Sequence, residues 1–362
     1  NKLTTIIGEV LTEGGNVKVT INNGLEEQER VTVVSSASHL LNVLNSGKEY
    51  ILGNNIVVTT ADLNEFKPII TRGNNETKTT IINLNGYTIT VENDDADNAV
   101  VLESGNTLIF AGEGNIVNQG TGALVDNSNE DANVVVTGGA TVANGTTTEA
   151  VLTGVEALKY ILENGGEFTF TNDFPSEEDD KDALKNPLLV KATKPVVING
   201  NGKTFTATGK GVGKVRLANG GKLTFNNVKI VDHSVSYAEN AWEYGYLEFG
   251  GNLAFNECQF VNAIMMESEN AAFTNCSFNS NKDNEYDVWV DNGSAYFTDC
   301  TFAGARGLKV HEAYGSEVVK VAVDGCTFGP LSKKPGIALG DLNAETTVSV
   351  KNSTFDRCQA GD

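Results

Sequence analysis

Six short phrases between Leu223 and Phe355 constrain this chain more than any single motif in it. They read Leu223-Thr-Phe-Asn-Asn-Val-Lys-Ile230, Leu253-Ala-Phe-Asn-Glu-Cys-Gln-Phe260, Ala271-Ala-Phe-Thr-Asn-Cys-Ser-Phe278, Ala295-Tyr-Phe-Thr-Asp-Cys-Thr-Phe302, Val321-Ala-Val-Asp-Gly-Cys-Thr-Phe328 and Val348-Ser-Val-Lys-Asn-Ser-Thr-Phe355. Each holds a short alternating strand, a sharp polar corner and a second short strand. A unit that recurs at an irregular spacing of 18 to 30 residues cannot bury its apolar face alone, so neighbours must stack into a solenoid.

The same alignment decides the cysteines. Cys258, Cys276, Cys300 and Cys326 fill one slot of successive phrases, and Val228 and Ser353 fill it at the two ends. The slot therefore takes a small, fairly apolar side chain. Equivalent Cα atoms in stacked rungs lie about 4.8 Å apart, but parallel in-register side chains point the wrong way for a bridge. Buried free thiols are expected, with Cys358 outside the column.

Further upstream, an order of elements occurs twice. Residues His39 to Gly47 read as an amphipathic helix with an Asn45-Ser-Gly47 stop, and Val155 to Gly166 repeat the pattern. Lys78-Thr-Thr-Ile-Ile-Asn-Leu-Asn-Gly-Tyr-Thr-Ile-Thr90 matches Lys194-Pro-Val-Val-Ile-Asn-Gly-Asn-Gly-Lys-Thr-Phe-Thr206, an offset of 116. An internal duplication follows: a helix that plugs an open solenoid end, then rungs, stated twice. The expected organisation is all-β, with residues 1–30 as a small N-terminal hairpin and connection, 31–146 as a first helix-capped unit and 147–362 as a second, longer one. Thr4 to Leu11 and Asn16 to Ile21 would form the hairpin around Glu13-Gly-Gly15.

The helix-then-rung opening, the Asn-Gly corners and the Phe-x-Asn-Cys-x-Phe phrases resemble right-handed parallel β-helix proteins of the pectin-lyase-like superfamily. The resemblance covers most of residues 31–362. It implies three strands per rung and a ligand site on the face of the first strand. Alternation between the phrases places those strands at Val215-Arg-Leu217, Leu247-Glu-Phe249, Ile264-Met-Met266, Val288-Trp-Val290, Leu308-Lys-Val310 and Ile337-Ala-Leu339. The outer residues of each triplet are apolar and should point inward. Arg216, Glu248, Met265, Trp289, Lys309 and Ala338 then form one outward column, with Glu267, Asp291 and His311 two residues further along.

Candidate ligand-binding residues are Trp289, Trp242, Tyr244, Glu248, Glu267, Asp291 and Arg216, with His233 and Tyr237 in the loop beside them. Aromatic faces stack on pyranose C–H patches, and carboxylates accept hydroxyl hydrogen bonds. Lys309, Arg306 and His311 form the one cluster that could supply a base for β-elimination of a uronide, with Ca²⁺ needed to neutralise the substrate in so acidic a chain. The Asn-Thr-Asp, Asp-Asp, Gly-His-Gly and Arg-Ile-Lys motifs of the superfamily's polygalacturonase-like members do not occur in the expected setting. Asp179-Asp180 lies in the charge run Ser176 to Asp182, and Asp94-Asp95 reads equally as a solvated turn.

The net charge of −21 argues against nucleic acid, which requires a basic footprint. No apolar run reaches the roughly 20 residues of a membrane-spanning helix, and there is no zinc spacing or phosphate-binding glycine loop. The expected function is a non-catalytic, secreted or cell-surface protein acting in adhesion or glycan binding, without a cofactor. A polysaccharide lyase and a structural stalk or assembly module are the alternatives.

Overall fold

The computed structural model describes residues 32–66, 69–70, 77–174, 189–190, 192–207, 214–217, 221–232, 247–261, 263–280, 286–304, 306–311, 318–331, 336–340, 342 and 345–356. The expected N-terminal hairpin, the acidic run 176–182 and Cys358 lie outside them. What is described is nearly all β-structure, wound as a parallel β-solenoid with three short helices.

Three parallel sheets form the first part. One stacks β1 (Thr32–Val34), β2 (Glu49–Leu52), β5 (Thr79–Asn83), β8 (Thr107–Ala111) and β11 (Asn133–Val136). The second stacks β3 (Ile56–Thr59), β6 (Thr88–Glu92), β9 (Gly114–Asn118) and β12 (Ala140–Val142), and the third β4 (Ile69–Ile70), β7 (Val100–Leu102) and β10 (Val125–Asp126). Register aligns like with like: Ile82 pairs with Phe110 and Ile89 with Ile116, so alternate residues fill one dry interior.

Helix α1 (Ala37–Val43) takes the place of a strand between β1 and β2 and buries Leu40, Leu41 and Val43 in that core. Ser36 caps it, its hydroxyl accepting from the His39 N–H at 3.2 Å. Helix α2 (Thr60–Phe66) was not anticipated from the apolar pattern, because it buries little beyond Leu63. Its signal is a capping box: the Thr59 N–H donates to the Asp62 carboxylate at 2.8 Å, and the Asp62 N–H returns to the Thr59 hydroxyl at 3.3 Å.

In the second part the phrases build two faces. Their first strands stack as β13 (Gly166–Thr169), β15 (Val196–Asn199), β18 (Lys222–Asn226), β20 (Leu247–Asn256), β22 (Ile264–Thr274), β24 (Tyr286–Thr298), β27 (Lys320–Asp324) and β30 (Thr347–Lys351). Their second strands stack as β16 (Thr204–Ala207), β19 (Lys229–Asp232), β21 (Gln259–Phe260), β23 (Ser277–Phe278), β25 (Thr301–Phe302), β28 (Thr327–Phe328) and β31 (Thr354–Phe355). The triplet strands supply the third face. β14 (Leu189–Val190), β17 (Lys214–Leu217), β26 (Arg306–Val310) and β29 (Ile337–Leu339) are separate, whereas β20, β22 and β24 run through both faces.

The core is columnar. Phe225, Phe255, Phe273 and Phe297 stack at 5.2, 4.9 and 4.8 Å between ring centroids. Phe260, Phe278, Phe302, Phe328 and Phe355 form a second pile at 4.9, 4.8, 4.4 and 4.8 Å. Cys258, Cys276, Cys300 and Cys326 are buried free thiols, each donating to a phenylalanine carbonyl of the preceding rung. Outside the corner, Asn256 donates to Asn226 at 2.9 Å and Asn226 to Asn199 at 2.8 Å, an amide ladder that ties three rungs.

Every phrase turns through one left-handed residue: Asn227, Glu257, Asn275, Asp299, Gly325 and Asn352, with φ of 50, 56, 52, 53, 65 and 49°. Asn, Asp and Gly tolerate that region, whereas a longer L side chain is strained there. Glu257 is the odd member. Glu257→Asn is expected to raise stability by roughly 0.5–1 kcal/mol, read as a shift in urea midpoint at unchanged slope; a loss would mean that the glutamate makes a compensating contact.

The second part does not continue the first on one axis. Ile109 and Val135 face outward from β8 and β11, and both belong to the second core, with Ile81 of β5 packed against it. A coaxial stack would bring only the last rung of the first unit into contact; here three successive rungs take part. The wedge between them is α3 (Gly154–Asn164), which buries Val155, Leu158, Ile161 and Leu162. Its Tyr160 hydroxyl bonds the Thr107 hydroxyl on β8, and the Thr169 N–H of β13 donates to the Thr137 hydroxyl at 3.0 Å. The plug of the second unit is thus also the pad on which it lies against the side of the first.

Candidate functional site

The ladder's register tests the outward column. Glu248 pairs with Met265, Met265 with Trp289, Trp289 with Lys309 and Lys309 with Ala338. Val288, Val290, Leu308 and Val310 are fully buried beside them, so Trp289 and Lys309 face out. Two placements differ from expectation. Lys214 pairs with Glu248 and Arg216 lies two residues further along its strand, because a slip of two residues preserves alternation. Glu267 pairs with Asn292, not Asp291, because a bulge after Met266 shifts the register by one. Trp242, Tyr244, His233 and Tyr237 lie outside the described residues.

What the fold brings together is compact: Tyr286, Trp289 and Asp291 on β24, with Arg306, Lys309 and His311 on and after β26. The Lys309 ammonium lies 5.0 Å from the Trp289 ring centre and 5.7 Å from that of Tyr286. The Arg306 guanidinium lies 5.4 Å from the Tyr286 ring. Such contacts hold a cation against the negative face of a ring, worth about 0.5–1 kcal/mol where water has access. The Trp289 ring meets Tyr286 at 6.4 Å and His311 at 5.6 Å, both edge to face. One face of the half-buried indole is therefore already occupied by Lys309.

His311 Nδ1 lies 3.2 Å from the Asp291 carboxylate, with the two side chains 26% and 12% exposed. The other side of the imidazole rests on Gly340, where an added Cβ would come within 2.5 Å of His311 Cδ2. Arg306 and Lys309 make no ion pair among the described residues. A chain of strongly negative charge thus presents two cations, held by rings and not by carboxylates, beside a histidine–carboxylate pair.

Tyr286 and Asp287 were not foreseen. Both precede the alternating triplet, where the pattern carries no signal. Asp287 is fully buried under two corners, its carboxylate accepting from the Ser280 N–H at 2.7 Å and the Gly304 N–H at 3.0 Å. Burial pushes its carboxyl up to about 7 against those two donors. It sutures successive rungs and does not reach the face. Asp94 and Asp95 are exposed turn residues, and among the described residues no group of three or more His, Cys, Asp or Glu is arranged to hold a metal ion.

Fold and site together define a parallel β-solenoid protein with an aromatic and cationic face on its triplet strands. Residues 253–361 are similar to the family described as adenovirus EB1 55K protein / large t-antigen. That stretch is less than a third of the chain and takes in the most regular part of the ladder, with Trp289, Lys309 and His311. No curated protein and no solved structure matches the chain. No helix among the described residues is long and apolar enough to cross a membrane.

Proposed function

We propose that this is a glycan-binding β-helix protein of the secreted or cell-surface kind, related in fold to the right-handed pectin-lyase-like proteins, and that it binds through the triplet-strand face without cleaving its ligand. The observation that carries this reading is the packing of Trp289, Tyr286, Arg306 and Lys309 into one outward patch on two adjacent strands. Ring edges give apolar walls for sugar C–H groups, while cations and the Asp291–His311 pair offer hydroxyls and acidic substituents fixed partners. Titration against a glycan panel, followed by tryptophan fluorescence, tests it. Trp289→Ala and Lys309→Ala are each expected to weaken any binding at least tenfold with the fold unchanged by circular dichroism. Ligands that bind both variants as well as the wild type would move the site elsewhere.

One observation favours cleavage instead: a histidine paired with a carboxylate next to a lysine has the groups that proton transfer requires. The same panel, read for ultraviolet absorbance from unsaturated products with Ca²⁺ present, separates the two. Silence supports binding alone; product formation that disappears in Lys309→Ala supports a lyase.

A further inference from the structure

An Asn-Gly sequence carries its own chemistry. The glycine amide nitrogen, once deprotonated, can attack the asparagine Cγ, because glycine puts no side chain in the way. The new N–Cγ bond closes a succinimide as the Cγ–Nδ2 bond breaks and ammonia leaves. Water then opens the ring at either carbonyl and gives aspartate or isoaspartate. Nothing but water is consumed. What the step needs is a carboxamide free to turn and a glycine N–H that is not already donating, since a hydrogen-bonded N–H reacts only when its segment opens.

Six such pairs lie within the described residues: Asn85-Gly86, Asn144-Gly145, Asn164-Gly165, Asn199-Gly200, Asn201-Gly202 and Asn292-Gly293. In four of them both groups are tied. The N–H groups of Gly86, Gly165, Gly200 and Gly202 donate to the carbonyls of Glu113, Ile161, Asn226 and Asn227 at 2.5, 2.8, 2.8 and 2.8 Å. The carboxamides of Asn85, Asn164 and Asn201 donate to the carbonyls of Leu52, Tyr160 and Phe170 at 3.1, 2.9 and 3.3 Å, and that of Asn199 to the Glu167 carboxylate. Asn292 and Gly293 lie inside β24, opposite Glu267 and Ser268 of β22. The Asn144 carboxamide and the Gly145 N–H make no such bond. Exposure does not separate the pairs, because Asn85, Asn164 and Asn201 are exposed as well.

The reason is position in the solenoid. At Asn85-Gly86 and Asn201-Gly202 the N–H donates forward to the next rung and the carboxamide back to the rung before. β12 is the last strand of its sheet, so the turn that follows it has no rung ahead. That turn closes through the Thr146 N–H on the Ala143 carbonyl at 3.2 Å, with Gly145 at φ 83°.

We propose that Asn144 is a site of spontaneous deamidation, and that its isoaspartyl product unfastens the last rung of the first unit. Isoaspartate routes the backbone through the side-chain carbon and so adds a methylene ahead of Gly145. The Gly145 carbonyl accepts from Asn118 Nδ2 at 2.6 Å, and the Thr146 carbonyl accepts from the Leu124 and Val125 N–H groups at 2.9 and 3.2 Å. A lengthened backbone cannot keep all three bonds in register, whereas aspartate, with the native backbone, can. The Trp289 face plays no part, so this reading and the binding reading fail separately.

The test ages the whole chain at mildly alkaline pH and follows the mass gain of amide to acid by peptide mapping. In the folded chain Asn144 is expected to react at least tenfold faster than Asn85, Asn164, Asn199 or Asn201. In urea, where no rung holds any of them, the five rates should converge. Any of those four reacting as fast as Asn144 in the folded chain overturns the proposal, and so does an Asn144 lead that persists unchanged in urea. Hydrogen exchange at Leu124 and Val125 then reads the consequence: faster in the separated isoaspartyl form, and as in wild type for Asn144→Asp, which has the charge without the methylene. Equal exchange in all three forms overturns the unfastening.

Discussion

Phe302→Ala is expected to lower the unfolding free energy by about 3–5 kcal/mol. Phe302 is fully buried in the middle of its pile, with Phe278 at 4.8 Å on one side and Phe328 at 4.4 Å on the other. Its removal leaves a ring-sized void that the flanking backbone cannot close, because the two-residue strands on either side are fixed by their ladder bonds. In a solenoid each rung is stabilised mainly by its neighbours, so the loss should split the array and not merely soften it. Urea unfolding followed by far-ultraviolet circular dichroism should show an earlier transition for the second unit. Phe302→Leu, which refills part of the volume, should recover a substantial part of the loss. A cost below about 1 kcal/mol would show that the pile repacks and that its stacking is not what holds the rungs in line.

Asp287 should set a pH dependence of the opposite sign to that of ordinary salt-bridged carboxylates. Its folded value of about 7 stands above the ordinary 3.8. Between those values the folded chain takes up a proton that the unfolded chain does not, so this group favours folding as pH falls from 7 towards 4 and ceases to do so as pH rises through 7. At about 1.4 kcal/mol per unit, the swing is on the order of 4 kcal/mol. Because other carboxylates titrate as well, the informative quantity is the stability of wild type minus that of Asp287→Asn. That difference should grow on acidification from pH 8 to pH 5, and a flat difference would mean that the two N–H donors keep the carboxylate ionised. Asp287→Ala should cost about 2–4 kcal/mol at pH 5, since it strands the N–H groups of Ser280 and Gly304, and less at pH 8, where the wild type loses the contribution of the protonated carboxyl.

How much could be read in advance follows from what alternation encodes. The phrases named both phrase faces of the ladder, because an inward Phe or Cys recurring beside a left-handed corner has one structural explanation. The triplets likewise placed Glu248, Met265, Trp289, Lys309 and Ala338 in their observed order. Arg216 was set two residues out because alternation has period two and does not register a slip by two. The bulge before Glu267 escaped for a related reason: it displaces a partner without changing which residues are apolar. Lys309 over the indole, and Tyr286 under both cations, depend on where side chains lie across rungs, and a pattern along one strand carries no information about that. The lateral seat of the second unit was also invisible, since Ile81, Ile109 and Val135 sit in strands whose neighbours are apolar too. An isoleucine facing out reads there as part of a continuous hydrophobic run.

The four thiols give this protein an internal gauge of rung opening. Cys258, Cys276, Cys300 and Cys326 are each at most 2% exposed and each belongs to a different rung. A thiol shielded in this way reacts with an alkylating reagent only when its own rung opens. Timed labelling resolved by peptide mass would therefore record fraying rung by rung, in one unmodified chain, and show from which end the stack comes apart.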